Sequence, residues 1–315
     1  MRENGIRCAE GFLSARPAIP RKILNCMLPA ISTHTRLLGV AGWPVQHSLS
    51  PAMHNAALRA AGLDFVYLAF PIPPESFETA MRGFASAGVV GINCTLPHKG
   101  TALDFCQHVS EEARIARAVN SIHFRPDGIY GANTDVEGFV ESLRQDAGFD
   151  FTGQNVVLFG AGGAGRAIAY GILKAGAAHL SIVNRTLDKA VVLKDELAPL
   201  FPDQAISTLA LHDDADAIDA VLATAGLVAN STSLGLKDSD PQPCDPVKIA
   251  QGAVVFDAPY TAEGSTAWLR SAQKCGLKTL DGFGMLVRQG AASFRIWTGV
   301  EPDIQVMFDA LKKKS

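Results

Sequence analysis

A glycine-rich turn between a strand pattern and a helix pattern restricts the fold of this chain more than any other feature. Residues 154–159 (QNVVLF) are typical of a buried strand, and residues 166–174 are typical of a helix. The glycines of the intervening turn GAGGAG are Gly160, Gly162, Gly163 and Gly165. In this G-x-G-x-x-G pattern the first glycine allows a tight turn, the second admits a pyrophosphate and the third allows strand–helix packing. Because a helix N-terminus offers free N–H groups to an anion, the segment predicts a dinucleotide site in a doubly wound, Rossmann-type sheet.

The next strand pattern, at residues 179–183 (HLSIV), indicates which dinucleotide is bound. NAD-binding sheets usually carry Asp or Glu about 20 residues after the glycine turn, where the carboxylate binds the ribose 2′-hydroxyl. This chain has Asn184, Arg185 and Thr186 there instead. A guanidinium and a hydroxyl suit a 2′-phosphate, and no carboxylate repels it. The sequence therefore predicts NADP, with a solvated arginine at a strand end as the alternative interpretation.

Upstream of this segment, short apolar runs alternate with helix patterns from residue 36 onward. Strand patterns at residues 36–42, 65–72 and 89–96 are separated by helix patterns, which is typical of an α/β sheet with crossover helices. The turn RPDG at residues 125–128 joins two further strand patterns in a hairpin. We therefore expect a second sheet that is mixed at one edge.

The chain length of 315 residues exceeds what one hydrophobic core usually supports, so we expect two domains. The fold class is predicted as α/β, with an N-terminal mixed-sheet α/β domain at residues 36–134. A doubly wound NADP-binding domain is predicted at residues 135–282, beginning with a helix at Asp135. Residues 283–315 are predicted as a helical segment that returns to the first domain. Residues 1–35 are predicted as a poorly ordered extension, with a transit peptide and a misassigned start as alternatives.

Composition and charge narrow the range of partners. The formal net charge is −3 and aromatic residues make up only 7% of the chain, so neither nucleic acid nor an anionic membrane is an expected partner. No apolar run approaches the roughly 20 residues of a membrane-spanning helix. The six cysteines are scattered without a C-x-x-C pair, which favours reduced thiols in the cytoplasm. His47, His54 and His98 follow no metal-ligand spacing, so no metal site is expected.

Polar residues follow several strand patterns of the first domain, at the sheet edge where α/β proteins bind ligands. Reduction of a ketone by a reduced nicotinamide needs a proton donor for the developing alkoxide. Six motifs at these places resemble the shikimate dehydrogenase family in content and order. They are residues 42–44 (GWP) with 47–51 (HSLSP), 91–99 (GINCTLPHK), 118–120 (AVN), 133–135 (NTD), the glycine turn with 184–186 (NRT), and 281–287 (DGFGMLV) with Gln289.

The resemblance implies that residues 36–134 are the substrate-binding and catalytic domain, and it implies a role for each matching residue. Lys99 and Asp135 are implied as the catalytic pair beside the reacting oxygen. The implied substrate ligands are Ser48, Ser50 and Tyr260 for the carboxylate, and Thr95, Asn120 and Gln289 for the ring hydroxyls. The implied ligands of the NADP 2′-phosphate are Arg166, Asn184, Arg185 and Thr186. The implied reaction is the NADPH-dependent, reversible reduction of 3-dehydroshikimate to shikimate.

Some of these residues also have a purely structural interpretation. Ser50 before a proline fits a helix N-cap, and Asp135 fits a cap of the helix that follows it. Lys99 and Gln289 fit ordinary surface positions. For the whole chain, the alternatives are a quinate/shikimate or amino-shikimate dehydrogenase and a non-catalytic, metabolite-sensing regulator of the same fold. A regulator would be free to lose Lys99 or Asp135, and both are present. The sequence does not determine the oligomeric state, so a monomer and a homodimer are both left open.

Overall fold

Two six-stranded sheets follow one another along the chain. The structure, a computed structural model, describes residues 31–259 and 265–312. Most of the predicted N-terminal extension, and also Tyr260, lie outside the described residues. Within them, no helix has the length and apolar character needed to cross a membrane.

The first sheet is mixed, as the hairpin pattern predicts. Its strands are β1 (Arg36–Gly42), β2 (Phe65–Pro71), β3 (Gly91–Cys94), β4 (His108–Val109), β5 (Ser121–Arg125) and β6 (Gly128–Ala132). The helices between them are α1 (Ser50–Ala60), α2 (Phe77–Ser86), α3 (Lys99–Phe105) and α4 (Glu111–Ala116). The strand order is β2-β1-β3-β5-β6-β4, and β5 runs antiparallel to both of its neighbours. Because β1 and β3 are parallel, their carboxyl ends lie at the same edge of the sheet.

The start of α1 differs from the sequence-based expectation. Ser50 is the first residue of the helix rather than its N-cap, which is Leu49. Leu49 already has helical dihedral angles, and no side chain makes a capping hydrogen bond there. The prediction that Ser50 caps this helix is therefore wrong, because the chain enters the helix one residue earlier. The Ser50 hydroxyl is consequently not used as a cap.

The second sheet is parallel throughout. Its strands are β7 (Asn155–Phe159), β8 (His179–Asn184), β9 (Ala205–Ala210), β10 (Leu227–Asn230), β11 (Val254–Asp257) and β12 (Lys278–Asp281). The remaining helices are α5 (Asp135–Ala147), α6 (Gly163–Lys174), α7 (Leu187–Leu197), α8 (Ala215–Leu222), α9 (Ala267–Lys274), α10 (Gly282–Thr298) and α11 (Ile304–Lys312). The order β12-β11-β10-β7-β8-β9 is that of a doubly wound sheet, which confirms the predicted fold class. Its topological switch point lies between β7 and β10, where such sheets bind ligands.

The C-terminal helices pack against the first sheet. Val287 and Phe294 of α10 and Met307 of α11 share one apolar cluster with Leu38 of β1 and Tyr67 of β2. These contacts support the predicted return of the C-terminal segment to the first domain. The helix α5 between the two sheets buries the apolar face that its sequence pattern predicts, and α10 packs along it. The predicted domain boundaries stay predictions.

Candidate active site

One cavity of about 800 Å³ brings together residues of the first sheet and residues that follow strands of the second sheet. Among its lining residues are seven of the predicted substrate-binding and catalytic residues: Ser48, Ser50, Thr95, Lys99, Asn120, Asp135 and Gln289. Gly163 and Ala164 of the glycine turn line the same cavity. The volume lies within the range of natural small-molecule sites. The sequence-predicted residues therefore share one space next to the predicted cofactor turn.

Lys99 and Asp135 form an ion pair at this cavity. The Lys99 Nζ donates to Asp135 Oδ2 at 2.6 Å, and the two side chains are 31% and 12% exposed. Lys99 is the first residue of α3 and Asp135 is the first residue of α5. The Asp135 carboxylate is stabilised by the partial positive charge of the α5 N-terminus. The N-cap of that helix is Thr134, so Asp135 is available to orient Lys99.

Asn120 links this pair to the rest of the site. Its Nδ2 donates to Asp135 Oδ1 at 2.8 Å and to Thr134 Oγ1 at 3.0 Å. Its Oδ1 accepts from the Thr134 N–H at 2.8 Å. The Oε1 of Gln289 lies 3.5 Å from both Asn120 Nδ2 and Thr134 Oγ1. Asn120, Gln289 and the catalytic pair thus belong to one polar network, as a shared substrate site requires.

The predicted carboxylate ligands lie at the start of α1. Ser48 and Ser50 both line the cavity, and the Ser50 N–H donates to Ser48 Oγ at 3.3 Å. Thr95 follows β3 and lines the same cavity, and its N–H donates to the Ala41 carbonyl at 2.9 Å. Tyr260, the third predicted carboxylate ligand, lies outside the described residues.

Two of the three histidines near the site, His54 and His98, are packed into the protein, whereas His47 lines the cavity. The buried His98 ring makes a 2.8 Å hydrogen bond between Nε2 and the Ile72 carbonyl, and burial lowers the pKa of His98. His54 is fully buried and stacks on Tyr67 with ring centroids 4.2 Å apart. Burial lowers the pKa of His54 to about 3, so its ring is neutral. Across the described ranges, no group of three or more histidine, cysteine or acidic side chains is arranged to hold a metal ion.

The glycine turn has two kinds of glycine. Gly160 has φ +109°, and a Cβ on Gly165 would lie 2.3 Å from the Gly160 carbonyl oxygen, so backbone geometry requires both. A Cβ on Gly162 or Gly163 would instead meet no protein atom within 4 Å. Packing within the protein therefore explains only the first pair. The open space at Gly162 and Gly163, at the N-terminus of α6, fits the pyrophosphate of a dinucleotide.

The predicted 2′-phosphate ligands also include exposed residues and residues with contacts inside the protein. Arg185 and Thr186 are exposed at the end of β8, beside the turn, where they are free to meet a phosphate. The Asn184 side chain shapes the turn, since its Oδ1 accepts from the Ala161 N–H at 3.1 Å and its Nδ2 donates to the Thr186 carbonyl at 2.7 Å. The residues present fit NADP, and the contact of Arg185 with the 2′-phosphate stays a prediction.

Arg166 has protein partners of its own. Its guanidinium forms an ion pair with Glu196 and donates to the Ile115 carbonyl at 3.1 Å, with only 11% of the side chain exposed. These contacts tie α6 to α7 and α4. The contact of Arg166 with the cofactor stays a prediction, and the structure offers a packing role in its place.

Two residues near the predicted ligand sites were not assigned a role from the sequence. Asn93 lines the cavity from β3 and is buried, and its signal was an amide within an otherwise apolar strand. Lys189 lies exposed in the first turn of α7, where its N–H donates to the Thr186 carbonyl at 3.1 Å. Its signal was a second basic residue four positions after Arg185. Lys189 is thus a second cation near the predicted phosphate site.

Comparison with known proteins agrees with this geometry. The family models that match are the shikimate dehydrogenase substrate binding domain over residues 40–122, shikimate / quinate 5-dehydrogenase over residues 142–233 and the shikimate 5′-dehydrogenase C-terminal domain over residues 282–312. The shikimate dehydrogenase (NADP(+)) of Methanopyrus kandleri is 40% identical over 286 residues, which are 90% of this chain and 97% of that protein.

Solved structures extend the likeness to three dimensions. A shikimate dehydrogenase in complex with NADP+ is 36% identical with a TM-score of 0.80, covering 90% of this chain and 97% of that one. Shikimate 5-dehydrogenase of Thermus thermophilus, in complex with NADP(H) and shikimate, is 34% identical with a TM-score of 0.76 and covers 89% of this chain and 100% of that one. Because sequence and structure match over nearly the whole length of these proteins, the chain belongs to the shikimate dehydrogenase family.

Proposed function

We propose that this chain catalyses the NADPH-dependent, reversible reduction of 3-dehydroshikimate to shikimate. The observation that carries the proposal is the Lys99–Asp135 ion pair, which lies in the same cavity as Gly163 of the cofactor turn. A proton donor and a dinucleotide turn that share one cavity are what ketone reduction requires. Membership of the family supports the choice of substrate and of cofactor.

Each of the chain's site residues would have its own role in this reaction. NADPH, when bound, supplies the hydride that reduces the ketone carbon. The Lys99 ammonium donates a proton to the oxygen that develops negative charge, and Asp135 holds Lys99 in position. Ser48 and Ser50, which both line the cavity, donate hydrogen bonds to the substrate carboxylate. Thr95, Asn120 and Gln289 bind the ring hydroxyls.

A second candidate is a quinate/shikimate dehydrogenase, because the family model that matches residues 142–233 is described by both substrates. The two functions share the catalytic pair and differ in how the pocket accepts the saturated, additionally hydroxylated ring of quinate. A metabolite-sensing regulator is the third candidate. It would bind the same ligands without turnover, so kinetics separate it from both enzymes.

The experiment is a steady-state assay of nicotinamide absorbance with the purified full chain. We expect oxidation of NADPH by 3-dehydroshikimate, much slower oxidation of NADH, and little reduction of NADP+ by quinate. Lys99→Ala should lower kcat by about 10²- to 10⁴-fold while shikimate binding, measured by calorimetry, persists. Efficient quinate oxidation would favour the second candidate. Tight binding of shikimate without any turnover would contradict the enzymatic proposal and favour the regulator.

We also propose that the protein acts in the cytoplasm, in keeping with its scattered cysteines, and that each chain carries a complete site. Seven of the predicted catalytic and substrate-binding residues line one cavity within a single chain. We therefore expect a homodimer to hold two such sites. Analytical ultracentrifugation combined with ligand stoichiometry tests this: one shikimate bound per chain is expected in a monomer and in a homodimer alike.

A further inference from the structure

Ser293 is a buried hydroxyl that lies outside the cavity but contacts two residues near it. It lies on α10, one helical turn after Gln289, and its residue is fully buried. Its Oγ accepts from Asn93 Nδ2 at 3.0 Å and lies 3.1 Å from Thr134 Oγ1. Asn93 belongs to β3, and Thr134 directly precedes Asp135. One serine on a third element thus connects two walls of the site.

The direction of these hydrogen bonds follows from the groups available. Tyr67 Oη donates to Asn93 Oδ1 at 2.7 Å, and Asn93 Nδ2 donates to the Asn120 carbonyl at 2.9 Å. A carbonyl can only accept, so the amide of Asn93 has one orientation. Its second hydrogen goes to Ser293 Oγ, which leaves the serine hydrogen for Thr134 Oγ1. Every polar atom in this part of the network then has a partner, as buried polar groups require.

The same hydrogen bonds continue to the catalytic pair. Thr134 Oγ1 donates to Asn120 Oδ1 at 3.2 Å, and Asn120 Nδ2 donates to Asp135 Oδ1 at 2.8 Å. Asp135 in turn accepts from Lys99. The orientation of Asp135 is therefore connected to Ser293 through Thr134 and Asn120. Without the serine hydroxyl, Asn93 would lose an acceptor and Thr134 would lose a donor.

We propose that Ser293 is a positioning residue for the reaction. It holds β3 and the segment before α5 in register, so that Asn120 keeps Asp135 aligned with Lys99 and Asn93 keeps a fixed amide orientation at the cavity wall. This inference rests on the proposed function, because it concerns the alignment of the proposed catalytic pair. Ser293 contributes through other residues and does not itself meet the substrate.

The chain offers a matched control for this proposal. Ser142 on α5 is also a fully buried serine, and its Oγ donates to the Phe139 carbonyl of its own helix, at 2.8 Å. Replacing Ser142 by alanine therefore removes a buried hydroxyl near the same helix pair without touching the network. The comparison of Ser293→Ala with Ser142→Ala separates positioning from general loss of packing.

The experiment measures kcat, KM for both substrates and the pH dependence of kcat/KM for wild type and both variants, well below their unfolding temperatures. We expect Ser293→Ala to lower kcat about tenfold, because the hydrogen bond between Asp135 and Lys99 would be misaligned. We also expect the pH profile of kcat/KM to shift. The KM for NADPH should not change. Ser142→Ala should match wild type in all kinetic parameters. Ser293→Cys, which retains a weak donor and acceptor, should recover part of the lost rate.

Kinetic parameters of Ser293→Ala within twofold of those of Ser142→Ala would overturn the proposal. Were Ser293→Ala unable to fold, the same comparison of Ser293→Cys with Ser142→Cys would decide. Failure of the proposed function would appear differently, as absence of turnover in the wild-type protein. The two failures are therefore distinguishable.

Discussion

The Lys99 ammonium and the Asp135 carboxylate meet at 2.6 Å, although the two residues begin different helices 36 positions apart. Each side chain is thus fixed at the first turn of a helix rather than on a free loop. The second carboxylate oxygen of Asp135 accepts from Asn120. Because both carboxylate oxygens of Asp135 accept hydrogen bonds, its orientation is fixed before the reaction. Such a carboxylate is well suited to orient the Lys99 ammonium, since little reorganisation is needed during the reaction.

Mutation of the pair should show that its members act as a unit. We expect Lys99→Ala and Asp135→Asn each to lower kcat by about 10²- to 10⁴-fold, the usual contribution of a positioned acid or base. The double variant should be little worse than the poorer single variant, because either change already disables the pair. Stopped-flow and steady-state kinetics on all three measure this.

Lys174→Ala is the control for charge removal, since Lys174 forms a 2.6 Å ion pair with Glu112 away from the catalytic pair. It should leave kcat unchanged. Fully additive losses in the Lys99 and Asp135 double variant would contradict the shared role.

Arg185 should determine the preference for NADPH over NADH. Arg185→Ala removes the exposed guanidinium at the end of β8, and loss of one charge-assisted hydrogen bond to a phosphate corresponds to roughly 10- to 100-fold in KM for NADPH. The KM for NADH should stay within twofold, because NADH lacks the 2′-phosphate. Arg82→Ala, at an exposed arginine paired with Glu78, is the control and should change neither value. An equal change for both cofactors would rule out recognition of the 2′-phosphate by Arg185.

The two kinds of glycine in the turn should respond differently to alanine. Gly165→Ala would place a Cβ 2.3 Å from the Gly160 carbonyl oxygen, so we expect the free energy of unfolding to fall by about 1–3 kcal/mol or more. Gly163→Ala meets no protein atom and lies in the first turn of α6, so stability should be kept. Urea unfolding measures both.

The same two variants should separate folding from cofactor binding. Gly163→Ala should weaken NADPH binding in a fluorescence titration, because its methyl group enters the space that fits the pyrophosphate. Unchanged NADPH affinity in this folded variant would show that the cofactor lies elsewhere.

Asp257 should make stability depend on pH. Burial raises the pKa of Asp257 to about 7, although hydrogen bonds from Thr266 and Asn230 lower it. The ordinary value of the carboxyl is 3.8. Between these values the folded protein keeps a proton that the unfolded chain has lost, so the free energy of unfolding falls as pH rises. This one group contributes a slope of up to about 1.4 kcal/mol per pH unit.

Asp257→Asn retains the size of the side chain but cannot titrate. The decrease in the free energy of unfolding between about pH 5 and pH 7 should therefore be smaller than in wild type. Urea unfolding at both pH values measures it. Asp203→Asn, at an exposed aspartate, is the control and should leave the slope as it is in wild type. The same slope in Asp257→Asn as in wild type would mean that other groups carry the pH dependence.

Local sequence patterns determined most of the fold. The turn from Gly160 to Gly165, the apolar face of α5 and the hairpin at residues 125–128 all depend on neighbouring residues, so their strands and helices could be predicted from periodicity and turn chemistry. The motifs around Lys99 and Asp135 also carried the family resemblance. The structure places both residues together in the predicted site.

The sequence could not assign residues whose chemistry suits two roles. Ser50 has the right side chain for a helix cap and for a carboxylate ligand, and only the backbone at Leu49 decided against the cap. Arg166 follows the glycine turn as a phosphate ligand would, but Glu196, thirty residues away along the chain, pairs with it. Sequence spacing holds no information about such a partner.

What the sequence by itself determined is therefore the order of strands and helices, the glycine turn and the set of candidate side chains, because these follow from short-range patterns. Only the tertiary structure decided how those side chains are connected. Asn93, Thr134 and Ser293 come from three elements that are far apart in sequence, and they meet because α10 packs beside α5 and against the first sheet. Hydrogen-bond direction depends on which donors and acceptors become neighbours, and that is fixed only once the chain has folded.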